Sequence, residues 1–108
     1  MKITKTQAPR FSWGKVWGLN YKFNKDDVSV LYAKLEEPHG EVTTGDKSRY
    51  YYILAGTGEF IIGKEQTKIE PGDVIVVPPN TKYNYWPLGE SLEVILFMEY
   101  WDSQNWEK

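Results

Sequence analysis

Turn-forming residues interrupt this sequence about every eight to twelve positions, and no apolar 3.6-residue period between them lasts for the length of a helix. This spacing constrains the fold more than any compositional value. Strands too short to bury a face alone must pair and close into a sandwich or a barrel. Val28 to Leu35 is rich in β-branched and aromatic residues and ends at Glu36-Glu37-Pro38-His39-Gly40. Glu41 to Thr44 forms a short strand before Gly45-Asp46, and Arg49 to Leu54 runs into Ala55-Gly56-Thr57-Gly58. Glu59 to Ile62 and Gln66 to Ile69 flank a hairpin turn at Gly63-Lys64. Val74 to Val77 lies between Pro71-Gly72 and Pro78-Pro79-Asn80, followed by Lys82 to Trp86 and the long apolar run Leu92 to Tyr100. Strands this apolar need their edges removed by closure, which favours a barrel. The expected class is all-β.

Residues 1–27 read differently. Trp13, Gly14, Trp17, Gly18 and Tyr21 interleave aromatics with glycines, a pattern poor for a helix and too aromatic for disorder. One or two irregular strands lying over the body of the domain are expected there, with a turn at Asn24-Lys25-Asp26-Asp27. The 108 residues suit a single domain. Within it, 1–27 form an aromatic strap and 28–100 the barrel. The tail, 101–108, crosses the barrel mouth, forms a short helix or frays.

Several function classes drop out on composition. The chain has no cysteine, which excludes disulfides and Cys-based zinc sites. Met1 to Lys5 lacks the apolar run of a signal peptide, and no stretch reaches the roughly 20 apolar residues that span a bilayer. A cytoplasmic setting with no membrane partner is expected. A formal charge of −2, with Lys and Arg scattered singly, offers no basic stripe for nucleic acid. Aromatic residues, at 16% of the chain, are the compositional excess, and they line ligand sites and interfaces.

Two segments carry a family resemblance. Tyr52-Ile53-Leu54-Ala55-Gly56-Thr57-Gly58 looks like the end of the first cupin motif, and Pro71-Gly72-Asp73-Val74-Ile75-Val76-Val77-Pro78-Pro79-Asn80-Thr81-Lys82-Tyr83 looks like the second. In this order and at this separation they resemble the cupin superfamily across residues 28–100. The resemblance implies a double-stranded β-helix, or jelly-roll barrel. It also implies that a homodimer is common, with the N-terminal segment as a plausible strap between protomers.

Metal-binding cupins carry two histidines one residue apart, then a carboxylate, then a last histidine in the second motif. Counting back seven residues from Gly56 sets Arg49 at the carboxylate position. The paired histidines fall on Val42 and Thr44, or on Thr43 and Gly45, and the last falls on Tyr83. Valine, threonine and a guanidinium are not substitutes for imidazole and carboxylate donors. No metal and no other cofactor is expected. His39, the sole histidine, is either an ordinary turn residue or a ligand contact.

Strand alternation supplies a candidate pocket. If Arg49 points inward, Tyr51 and Ile53 share its face while Tyr50, Tyr52 and Leu54 oppose it; Tyr83 and Tyr85 likewise share a face. Arg49 either awaits an anionic ligand or pairs with Glu41, Glu93 or Glu99; if the parity slips, it is solvated at a strand start. The tyrosines either fill the core or wall a cavity for sugar rings or planar molecules. Trp13, Trp17 and Trp86 cover a sheet face or a subunit interface. Arg49, Tyr51, Tyr83, Tyr85, Thr44 and His39 are the candidate ligand-binding residues. The leading reading is a metal-independent cupin that binds a sugar or small organic acid. A metal-independent sugar isomerase or epimerase and a ligand-free structural barrel are the alternatives.

Overall fold

A computed structural model describes residues 1–23 and 28–101. The expected turn at 24–27 and the tail at 102–108 lie outside the described residues. Ten strands follow one another: β1 (Arg10–Trp13), β2 (Val16–Tyr21), β3 (Val28–Leu35), β4 (Val42–Thr43), β5 (Arg49–Ala55), β6 (Gly58–Ile62), β7 (Glu65–Ile69), β8 (Val74–Val77), β9 (Lys82–Pro87) and β10 (Leu92–Glu99). They form a six-stranded sheet, β1-β2-β3-β10-β5-β8, and a four-stranded sheet, β4-β9-β6-β7, with every pairing antiparallel. The fold is an all-β jelly roll. No helix among the described residues is long and apolar enough to cross a membrane.

Alternation decides what each strand buries. Leu31, Ala33 and Leu35 of β3 point inward, as do Tyr51 and Ile53 of β5, and Val94, Leu96 and Met98 of β10. From the other sheet Phe60, Ile69, Tyr83 and Tyr85 meet them, so one apolar core joins the two layers. Two glycines make this geometry possible. Gly56 ends β5 at φ +81°, where a side chain is strained, and a Cβ there would collide with the Ser91 carbonyl. Gly18 lies where a Cβ would collide with the Tyr32 carbonyl and the Phe11 ring, so its absence lets β1 and β2 close on the sheet. Asp73 accepts the Glu70 amide at 2.9 Å within its own turn.

The N-terminal segment is more regular than a strap. β1 and β2 form a hairpin that adds two strands to the larger sheet, with β2 paired along β3 from Val16↔Leu35 to Tyr21↔Val30. Its inward residues Phe11 and Val16 join the core, because the same period-2 alternation continues through the glycines.

Candidate functional site

A cavity of about 300 Å³ opens between the two sheets. This is the small end of the range for small-molecule sites. Tyr51 on β5 and Tyr83 and Tyr85 on β9 border it, each about 1% exposed. β9 and β6 pair with Tyr85 opposite Phe60, and that register stacks the two rings at 4.7 Å and 3°. The polar tips of the tyrosines meet. Tyr51 and Tyr83 share a hydroxyl–hydroxyl hydrogen bond of 2.6 Å. Arg49 Nη1 donates to the Tyr83 oxygen at 2.8 Å, and Nη2 donates to Glu99 Oε1 at 3.0 Å.

This set settles the environment of Arg49. It faces inward beside Tyr51, and of its three candidate carboxylates Glu99 is the partner. Glu41 lies 3.7 Å from Lys82 instead, and Glu93 accepts from the Tyr32 hydroxyl. Burial opposes the arginine's charge, but Tyr83 and Glu99 more than compensate and hold its pKa above the ordinary value. Burial also pushes the Tyr51 and Tyr85 pKa values well up, so both stay protonated and able to donate. Arg49 Nε and Glu99 Oε2 are buried with no hydrogen-bond partner among the described residues.

His39 forms part of the wall. Its ring stacks on Tyr85 at 4.8 Å and on Tyr83 at 6.2 Å. The turn is pinned in place by the His39 amide on the Tyr85 carbonyl at 2.9 Å and the Gly40 amide on Asn84 Oδ1 at 3.0 Å. Nδ1 lies 2.9 Å from the Gly40 carbonyl, which can only accept, so Nδ1 carries a proton.

Thr44 is not among the residues that border the cavity. Its hydroxyl donates to the Pro78 carbonyl at 2.6 Å and accepts the Thr81 amide at 2.9 Å, tying two loops together away from the cavity. β4 has only two residues and ends before position 44. Val42 and Thr43 border the cavity instead. Val42 lies opposite Tyr83, and Arg49 bonds to Tyr83, so three of the positions aligned with cupin metal ligands do converge. Among the described residues no three His, Cys, Asp or Glu side chains are grouped to hold a metal ion.

Sequence reasoning missed part of the wall. Phe11 and Trp13 from β1 line the cavity, and Trp101 reaches it from beyond β10. The Trp101 amide donates to Ser29 Oγ at 2.8 Å, its carbonyl accepts Asn20 Nδ2 at 2.7 Å, and its ring meets Phe11 edge-on at 5.1 Å. Trp13 Nε1 donates to the His39 carbonyl at 3.3 Å. The period-2 spacing of Phe11 and Trp13 was the available signal for the first pair.

A cupin domain family model matches residues 36–98, more than half the chain. The chain belongs to the cupin superfamily. Among solved structures it is similar to Pac13 from Streptomyces, described as a unique nucleoside dehydratase, with a TM-score of 0.81 and 24% identity over 97% of this chain and 87% of that one. It is also similar to KdgF from Halomonas sp., with a TM-score of 0.77 and 17% identity over 94% of each chain. The Cnp3 cupin domain of Schizosaccharomyces pombe has a TM-score of 0.74 and 10% identity over 86% of this chain and 70% of that one. At these identities the likeness concerns the fold. No curated protein sequence matches the chain.

Proposed function

We propose that this cupin binds an uncharged, ring-shaped, hydroxyl-bearing small molecule of the nucleoside or sugar class, without a metal. We further propose that His39 and the tyrosines move protons on it. One observation carries the reading: an aromatic-walled cavity is lined by the connected set Arg49–Tyr83–Tyr51, which Glu99 holds from behind through Arg49, with His39 stacked beside it. Flat rings complement a planar or sugar ligand, and the hydroxyls supply directional contacts to its polar groups. Because Glu99 already neutralises Arg49, the cavity has no spare positive charge from that residue for an organic acid. This favours the sugar-like branch of the expectation. Arg49 Nε, buried with no hydrogen-bond partner among the described residues, still offers one donor to a neutral oxygen.

The donor set supports the metal-independent part. Val42 has no lone pair, the Thr44 hydroxyl is held by backbone groups, and Arg49 would repel a cation. Proton transfer needs a base and an acid within one cavity, and the His39 imidazole and the protonated tyrosines are groups of the two types. Isomerisation and dehydration of a hydroxylated ring both require this pair of acts.

The fold neighbours add weight. The Streptomyces protein has been solved with uridine as a histidine-to-glutamine variant and as two tyrosine-to-phenylalanine variants. Its two substituted tyrosines are 34 positions apart, as Tyr51 and Tyr85 are here.

Calorimetric titration of the purified chain with uridine, other nucleosides and free sugars tests the reading, with quenching of Trp13 and Trp101 fluorescence as a second signal. Saturable binding that survives chelator treatment and weakens in Tyr51→Phe is expected. No saturable response across the panel at millimolar concentrations would sink it. Exchange of a ligand C–H proton with deuterated solvent, lost in His39→Gln, is the readout for proton transfer.

A further inference from the structure

Strand order divides the cavity by chemistry. β1, β2, β3 and β10 give it only apolar or aromatic side chains, among them Phe11, Trp13, Leu31 and Leu96. Its hydroxyls, guanidinium and imidazole come from β5, β9, β4 and the turn before β4. A free sugar carries hydroxyls around its whole rim, and those turned to the apolar half would lose water without gaining a partner. A flat unsaturated ring joined to a hydroxylated one matches both halves.

Trp101 completes the apolar half from two residues beyond the end of β10. Its place is held by side chains that otherwise make little sense. The inward positions of β2 and β3 are apolar or glycine except for Asn20 and Ser29, which are both 0% exposed. The two exceptions meet at one residue. Asn20 Nδ2 donates to the Trp101 carbonyl at 2.7 Å, and Ser29 Oγ accepts the Trp101 amide at 2.8 Å. Burying an amide and a hydroxyl among apolar groups is costly unless they are met, so the pair fixes the Trp101 backbone. The ring is fixed in turn. It meets Phe11 edge-on at 5.1 Å and 78°, while Trp13 stacks on Phe11 at 5.7 Å and 23°, so Trp101 stands across that pair.

We infer that Trp101 is the specificity-determining residue of the cavity: it supplies the aromatic surface for the flat ring of a nucleoside and so selects nucleosides over free sugars. Asn20 and Ser29 are its positioning residues. The inference rests on the function proposed above and narrows its ligand class. Contact between a base and an aromatic side chain is worth about 5- to 150-fold in affinity, so the selection is measurable against a ligand with the same sugar and no base.

Calorimetric titration of the full chain with uridine and with methyl β-D-ribofuranoside tests it. The wild-type chain is expected to bind uridine at least ~5-fold more tightly. Trp101→Leu is expected to weaken uridine at least ~5-fold while changing the methyl riboside by no more than about twofold, and Trp101→Phe to restore most of the preference. Ser29→Ala loosens the backbone without touching the ring and is expected to move the ratio the same way by less. Circular dichroism checks that each variant is folded. Equal wild-type affinity for the two ligands overturns the inference and leaves the proposed function standing. So does a folded Trp101→Leu that weakens both ligands alike, or neither. A wild-type chain that binds neither ligand removes the proposed function and this inference with it.

Discussion

Removing one oxygen, in Tyr83→Phe, probes how the cavity's polar set is held. The Tyr83 hydroxyl is buried, accepts from Arg49 at 2.8 Å and shares a 2.6 Å bond with Tyr51. Phenylalanine keeps the ring stack on Phe60 and Tyr85 while leaving both partners unmet. A hydrogen bond to a charged group contributes about 1.5–3 kcal/mol and a neutral one about 0.5–1.5 kcal/mol, so the expected loss is about 2–4 kcal/mol. Tyr51→Phe breaks the neutral bond alone and should cost about 0.5–1.5 kcal/mol. At roughly 4 °C per kcal/mol for a domain of this size, Tyr83→Phe should lower the Tm by about 8–16 °C. Urea and thermal unfolding followed by circular dichroism measure both variants. Arg49→Met in the Tyr83→Phe background should add less than it does in the wild type, since one bond cannot be lost twice. If Tyr83→Phe costs under about 1 kcal/mol, or no more than Tyr51→Phe, Arg49 does not depend on that hydroxyl and the reasoning fails.

Alkaline pH should unfold the protein early. The folded pKa values of Tyr32, Tyr51 and Tyr85 lie above the unfolded value of about 10, so the folded and unfolded chains bind the same protons below that pH. Above it the unfolded chain ionises first and stability falls by up to about 1.4 kcal/mol per pH unit for each tyrosine. Urea midpoints that stay level from pH 9 to 11 would contradict this. Glu99→Gln removes the counter-charge of Arg49 and should shift calorimetric preference from uridine towards its monophosphate by at least about tenfold, and an unchanged ratio would show that Arg49 is not sensed from the cavity. Gly18→Ala forces a methyl group against the Tyr32 carbonyl and the Phe11 ring and should cost about 1–3 kcal/mol in urea unfolding, where a neutral result would mean that β1 moves freely on the sheet.

Much of this architecture was legible because period-2 alternation is a local property. β3 and β8 run over the residues that their composition marks, and β5 puts Arg49, Tyr51 and Ile53 on one face. What alternation does not carry is which distant residue stands opposite. The choice of Glu99 over Glu41 and Glu93 follows from how β10 meets β5, and that pairing contains a register shift between Glu93 and Val94. Trp101 was equally illegible, since its place depends on Asn20, 81 positions away. Thr44 was placed by alignment with a metal-ligand position rather than by alternation, and β4 ends one residue before it. His39 belongs to a turn on the sequence pattern, and only the closure of β9 beneath that turn makes it a wall.

β5 writes two surfaces on alternate letters. Arg49, Tyr51 and Ile53 belong to the interior, and Tyr50, Tyr52 and Leu54 to the outside. Substitutions can therefore alter either surface while sparing the other, so the two can diverge independently. A one-residue insertion or deletion has no such freedom. It would turn the arginine and tyrosine out of the cavity and drive the outer residues into the core at once. Length in this strand should be held more strictly than identity, and relatives that differ at every position of it should still keep its count.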